Sequence, residues 1–315
     1  MARRGTEVAA SRRHYPGRMI RVGMSSSCVY PLGLERAFAL AEDAGYDGIE
    51  VMVTNEDITR DAEAIRALSE RHRMPVLSVH APVLLLTHFV WGRDPAVKLR
   101  RSAELAAAIG AETVVVHPPF RWQRGYAQNF LTIVRETEQD SGVDIAVENM
   151  FPWAVRGRTM AAYSPGWSPE DMDCDHVTLD FSHASLSGLN SLELARRLGP
   201  RLQHIHLCDG SRSQDENRVF DEHLVPGHGA QPVAETLRFA VENGFAGHVV
   251  AEINTRGAKD DVERLMLLEE TLQFARTHLG QNRTGTDHLR GHRHRSIRAH
   301  LTPDGHNDGE DQRDG

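Results

Sequence analysis

Cysteine is scarce in this chain. Three occur in 315 residues, Cys28, Cys174 and Cys208, far apart and odd in number. Such a set builds no disulfide framework and fits a reducing compartment, so a cytoplasmic location is expected. No apolar run approaches the ~18 residues that a membrane span needs. The basic start, MARRGTEVAASRRHYPGR, has no apolar stretch behind it of the kind a secretory signal carries. Aromatic residues make up only 6%, and no basic stripe with interleaved aromatics is present to hold a nucleic-acid strand. Net charge is −8; residues 1–18 hold five arginines against one glutamate, and residues 281–315 six arginines against six acids, which leaves −12 on the body between them. An acidic body is a poor footprint for nucleic acid, although bound cations would reverse the sign locally.

What is present is ordinary for a folded domain: 40% hydrophobic and 25% charged residues. Residues 1–18 have no periodicity and read as a flexible N-terminal arm. Residues 281–315 are polar and His-rich and read as a disordered tail. Between them, 19–280 reads as one domain. Eight short β-branched runs punctuate it: Ile20–Met24, Asp47–Met52, Val76–His80, Thr113–His117, Val143–Glu148, His176–Asp180, Leu202–Leu207 and His248–Glu252. They have the apolar character of parallel strands buried on both faces. Amphipathic stretches such as LERAFALAEDAGYDG and AVKLRRSAELAAAIGAE lie between them, several closed by glycine (Gly45, Gly110, Gly244). Eight strand–helix units in ~260 residues is the count of an α/β (β/α)₈ TIM barrel. An open doubly wound sheet is the alternative, but the turn after the first strand, SSSCVYPLG, is not glycine-rich.

The histidines and acids fall at the ends of these strands. His80 ends the third, His117 the fourth, Glu148 the fifth and Asp180 the sixth, with His183 just beyond. His206 lies in the seventh, Asp221 and His223 in the loop after it, and Glu252 ends the eighth. In a barrel these ends converge on one mouth. Five imidazoles and four carboxylates buried there without counter-charge would be very costly, and divalent cations supply that charge. The mixed donor set suits zinc, manganese, iron or cobalt better than calcium.

The motifs HAP, HPP, EN, LDFSH, HLCD, DEHLVPGHG and AEIN, in this order, resemble those of the xylose isomerase-like TIM-barrel superfamily over roughly 19–280. That group holds sugar isomerases and epimerases and also endonuclease IV. The isomerase branch implies one divalent metal (Zn, Mn, Co or Mg) on Glu148, Asp180, His206 and Glu252. There Glu148 and Glu252 act as paired acid and base on the carbon next to a carbonyl. The endonuclease branch implies three zinc ions, on His80, His117 and Glu148, on Glu148, Asp180, His206 and Glu252, and on His183, Asp221 and His223, clamping a phosphodiester. All nine residue types are present. Against that branch, Val83 follows HAP where the endonuclease pattern has tyrosine. His228 stands where glutamate is common, and GYDGIE around Glu50 resembles the isomerases.

The expectation is therefore a metal-dependent isomerase or epimerase of a small carbohydrate substrate. A zinc phosphodiesterase of abasic DNA or a small phosphoester is the alternative, and a non-catalytic metal- or sugar-binding barrel a third reading. For substrate contacts, Glu50 reads either as a sugar-hydroxyl ligand or as a salt-bridged strand end. Trp153, with Tyr163 and Trp167, reads as a sugar-facing wall or as loop packing; Trp91 has the same two readings. Arg256, with Arg121, Arg124, Arg156, Arg158, Arg212 and Arg218, reads as a partner for an anionic group or as a solvated loop cation. Cys208 reads as a buried structural thiol near the site, and His72, His176, His204 and His248 as structural.

Overall fold

A computed structural model describes residues 19–82, 87, 89–155, 158–160, 162–211 and 221–281. The expected arm at 1–18, nearly all of the tail, Val83, Arg156, Arg212 and Arg218 lie outside the described residues. Internal contacts divide the chain into Met1–Gly280 and Gln281–Gly315, and the fold described here belongs to the first unit.

Ten strands occur among the described residues. Eight are parallel and close into a barrel: β1 (Arg21–Ser25), β2 (Gly48–Met52), β3 (Val76–His80), β4 (Thr113–Val116), β5 (Asp144–Glu148), β8 (His176–Asp180), β9 (Leu202–Leu207) and β10 (His248–Ala251). Their order around the barrel is β1-β10-β9-β8-β5-β4-β3-β2. Each bound lies within one residue of the sequence reading. The runs are four to six residues long, almost wholly buried, and separated by polar turns, which is what a sheet covered on both faces requires.

Helices α1 (Leu34–Ala44), α2 (Ala62–His72), α3 (Pro95–Ile109), α4 (Arg124–Ser141), α5 (Phe181–Leu186), α6 (Ser191–Leu198), α7 (Val233–Glu242) and α8 (Asp261–His278) connect the strands. Local chemistry sets their ends. Asp61, Asp94, Asn190 and Asp260 accept backbone N–H bonds at the starts of α2, α3, α6 and α8. Gly45 and Gly110 stop α1 and α3 at φ 83° and 74°, where a side chain would be strained. The helices bury an apolar face against the barrel, Leu34, Ala37, Phe38 and Ala41 on α1 being typical. No helix among the described residues is long and apolar enough to cross a membrane.

One unit departs from the expected repeat. After β5 the described residues contain no α-helix before β8. The antiparallel hairpin β6 (Trp153–Val155) and β7 (Arg158–Met160) and a 3₁₀ turn at Pro169–Asp171 stand there instead. Trp153 and Tyr163 from this segment pack around Phe120 of the β4–α4 loop, with ring centroids 5.5 and 5.1 Å away. The segment MFPWAVRGRTMAAYSPGWSPEDM is thus too rich in proline and aromatics for a helix, and it builds a satellite apolar cluster beside the mouth.

Candidate metal centre

Because the barrel strands are parallel, their C-terminal ends meet at one face. A cavity of about 750 Å³ opens there, lined among others by Ser27, His80, His117, Glu148, His183, Asp221, His223, Glu252 and Arg256. Glu148 is the hub. Its Oε2 lies 3.1 Å from His117 Nε2 and 3.4 Å from His80 Nε2. Its Oε1 lies 3.2 Å from His206 Nδ1 and 3.1 Å from His183 Nδ1. Glu252 closes on His206 Nδ1 from β10, Oε2 at 2.8 Å. Asp180 stands 4.0 Å from the same nitrogen. One ligand atom each from Glu148, Asp180, His206 and Glu252 lies within 4.8 Å of the other three. Ligands ~2.1 Å from one tetrahedral ion sit roughly 3.4 Å apart, so these spacings are of the right size.

His183, Asp221 and His223 form a second such group. Asp221 Oδ2 is 3.0 Å from His183 Nε2 and 2.9 Å from His223 Nε2. His80 and His117 converge on Glu148 Oε2, and His80 also groups with Glu148 and His206. All nine sequence-derived ligand candidates therefore stand around one mouth.

The donor set fits a divalent metal on three observations. Glu148 Oε2 is buried and has no hydrogen-bond partner among the described groups. Back-bonds leave ring nitrogens facing the cavity: Nδ1 of His80, His183 and His223 bonds the carbonyl oxygens of Ala81 (3.1 Å), Asn149 (2.9 Å) and Glu252 (2.7 Å). With Nδ1 so engaged, Nε2 of each ring faces a carboxylate of the cluster, the position from which it could ligate a metal. The charges also converge. Burial alone would push the Glu148 carboxyl up, but His206 and His117 hold it well below the usual range. Burial likewise opposes the charged forms of His206 and His183, yet the carboxylates around them hold both imidazoles well above the ordinary value. Asp180 is pushed up by burial, against the pull of His183 and His223. The protons in this cluster are what a divalent cation displaces on binding.

Residues outside the sequence-derived set hold the cluster in place. Asn149 clamps β5 to β8, its Nδ2 donating to Asp180 O (3.0 Å) and its Oδ1 accepting from Asp180 N (2.8 Å). Asp180 also caps α5, accepting from His183 N at 2.7 Å, which fixes the Asp–x–x–His spacing. Ser182 Oγ donates to Asp221 Oδ1 at 2.7 Å and accepts from His223 N. Asp209 anchors the loop that carries these ligands by accepting from the N–H groups of Gly210, Gly227 and Gln231. A Cβ on Gly229 would lie 2.3 Å from Asp209 Oδ1, so that loop needs glycine there. His223 itself sits at φ 44°, a left-handed conformation that costs a non-glycine residue about 1–2 kcal/mol. The signal for Asn149 and Asp209 was in the EN and HLCD motifs, but their roles depend on which strands become neighbours.

The substrate-side readings fare differently. Glu50 is fully buried in the barrel, off the cavity lining and beside His204 and His206. Trp153 also stays off the cavity lining, engaged with Phe120, Tyr163 and Trp122. Trp91 packs against the main core. Arg256 does line the mouth, its guanidinium 4.4 Å from the Tyr30 ring centroid. Cys208 is buried with Sγ 3.4 Å from Asp180 Oδ2, and burial together with Asp180 pushes its thiol up to about 12. His228 points out to Glu270 at 2.8 Å. His72 and His176 pair with Glu42 and Glu138 at 2.8 and 2.7 Å.

Comparison with known proteins agrees with this fold. The family model described as a xylose isomerase-like TIM barrel matches residues 38–278. An uncharacterized protein of Mycobacterium tuberculosis is 48% identical over 279 residues, 82% of this chain and 98% of that one. Fructoselysine 3-epimerase of Escherichia coli O157:H7 is 22% identical over 260 residues, 75% of this chain and 91% of its own. Among solved structures, the IolI protein with a bound zinc atom superposes with a TM-score of 0.64 at 17% identity, over 82% of this chain and 99% of that one.

Proposed function

This chain belongs to the xylose isomerase-like TIM-barrel family, and on that premise we propose that it is a divalent-metal-dependent isomerase or epimerase of a small sugar, sugar phosphate or related polyol. The observation that carries the proposal is the convergence of Glu148, Asp180, His206 and Glu252 at the base of the cavity, with both glutamates on the cavity lining. The similarity to a sugar 3-epimerase supports the same chemistry.

Glu148, Asp180, His206 and Glu252 would hold the metal. A divalent ion there supplies Lewis acidity toward the substrate's carbonyl and hydroxyl oxygens. The chain's own groups do the proton work. One of Glu148 and Glu252 takes the proton from the carbon next to the carbonyl, leaving an enediolate, and the other returns a proton to carbon. Glu252 is the more accessible of the pair and accepts from Ser27 Oγ at 3.2 Å, which steadies the oxygen not facing His206. Arg256, braced on Tyr30, stands at the rim, where it would meet an anionic or polar end of the substrate.

The complete His183–Asp221–His223 group favours a second reading, the trinuclear phosphodiesterase. One screen separates the two. The protein is incubated in heavy water with ketoses, ketose phosphates and polyol-derived ketones, and with an abasic-site oligonucleotide. Deuterium incorporation at the carbon next to a carbonyl, lost on chelation, is the expected result. Chelator-sensitive oligonucleotide cleavage without exchange would overturn the isomerase reading.

A further inference from the structure

Glu50 is a fully buried carboxylate inside the barrel, and Coulomb attraction alone does not repay the cost of burying such a charge. Its partners come from two strands. Ser78 Oγ on β3 donates to Oε2 at 2.8 Å. From β9, His204 Nε2 lies 3.2 Å from Oε2 and His206 Nε2 lies 3.3 Å from Oε1. His204 and His206 are two residues apart on one strand, so both rings face the interior, with His204 one step deeper than the ligand. β2 and β9 are not neighbours; β1 and β10 lie between them in the sheet. Glu50 therefore reaches His206 across the barrel interior.

His206 is oriented differently from three other histidines of the cluster. His80, His183 and His223 turn Nδ1 to a main-chain carbonyl. His206 turns Nδ1 toward Glu148 and Glu252, and Nε2 toward a carboxylate. A carboxylate behind a ligand imidazole fixes its tautomer and raises its donor strength more than a carbonyl does. We propose that Glu50, held by Ser78, is the positioning residue that orients His206 and strengthens it as a metal donor. This explains why a charge is kept deep in the barrel, off the cavity lining. The proposal rests on the reading of Glu148, Asp180, His206 and Glu252 as one metal site.

The test measures metal binding rather than turnover. Apparent zinc affinity is determined by competition with a chelator for the wild type, Glu50→Gln, Ser78→Ala and His248→Gln, with the fold of each checked by circular dichroism. Glu50→Gln keeps shape and removes charge; it is expected to weaken zinc binding by about 10–100-fold. Ser78→Ala, the milder change, should weaken it in the same direction by less. His248, another buried histidine in register with His204 on β10, ion-pairs with Glu112 instead, so its variant controls for general disturbance of the barrel. Affinity unchanged in Glu50→Gln, or lowered equally in His248→Gln, overturns the proposal. Loss of one whole ion with the remaining affinity unchanged also overturns it, because Glu50 would then be a ligand. A wild type that takes up no ion removes the metal site and the proposal together, whereas a wild type that binds metal but shows no sugar chemistry leaves this inference standing.

Discussion

His206 and Glu252 meet at the ends of neighbouring strands, Nδ1 to Oε2 at 2.8 Å, the shortest imidazole–carboxylate approach in the four-residue cluster. The main chain sets that contact, since Glu252 N donates to Leu207 O at 3.0 Å and locks the two strand ends in register. Two groups that would share an ion are thus placed by sheet pairing before any ion arrives.

Glu252→Gln should remove the proton-transfer group while preserving this pairing. Solvent-deuterium exchange into an identified substrate is expected to slow by about 10²–10⁴-fold, the usual contribution of a positioned acid or base. Exchange at the wild-type rate would show that Glu252 has no acid–base role.

Metal content separates the one-ion site from the three-ion cluster. Protein purified without chelator or tag-derived metal is expected to carry about one tightly held divalent ion per chain in the four-ligand site. Elemental analysis should find that ion retained in His183→Ala, because His183 belongs to the Asp221–His223 group. About three ions, falling by one in the variant, would instead support the phosphodiesterase reading.

A stability effect of pH is expected away from the mouth. Burial alone would lower the His176 pKa, but the hydrogen bond to Glu138 and the nearby Asp144 raise it above the ordinary value. A pKa raised by folding adds stability that is full below the unfolded value of about 6.5 and fades as pH climbs through the folded one. Glu138→Gln keeps the acceptor for Ile145 N and removes the charge. It should cost about 1 kcal/mol near pH 6 and progressively less toward pH 9, read from urea unfolding at each pH. A cost independent of pH would exclude the ion pair as its source.

Gly247 permits the close approach of the chain entering β10 to that leading through β9. A Cβ there would lie 1.8 Å from Gln203 O, a main-chain atom that cannot move without displacing β9. Gly247→Ala should destabilise the fold by about 3 kcal/mol, seen as a large fall in Tm. Gly257→Ala, where a Cβ meets nothing within 4 Å, is the matched control and should be nearly neutral.

The amino-acid sequence by itself determined the eight barrel strands to within a residue, because short β-branched runs bounded by turns carry their own signal. It also determined the nine ligand candidates, because parallel strands deliver their C-terminal residues to one face whatever the details between them. Only the tertiary structure decided the rest. Glu50 looks in sequence like any strand-end acid, and closure of the barrel put it behind His206 rather than in the cavity. Trp153 reads in sequence equally as a sugar-facing wall or as loop packing, and a hairpin in place of a helix after β5 turned it toward Phe120. Asn149 and Ser182 gain their roles from partners 31 to 41 residues away and Asp209 from partners across a loop, distances over which local pattern is silent. Period and propensity act over a few residues, whereas which nitrogen of an imidazole faces the cavity depends on what the closed barrel places behind it.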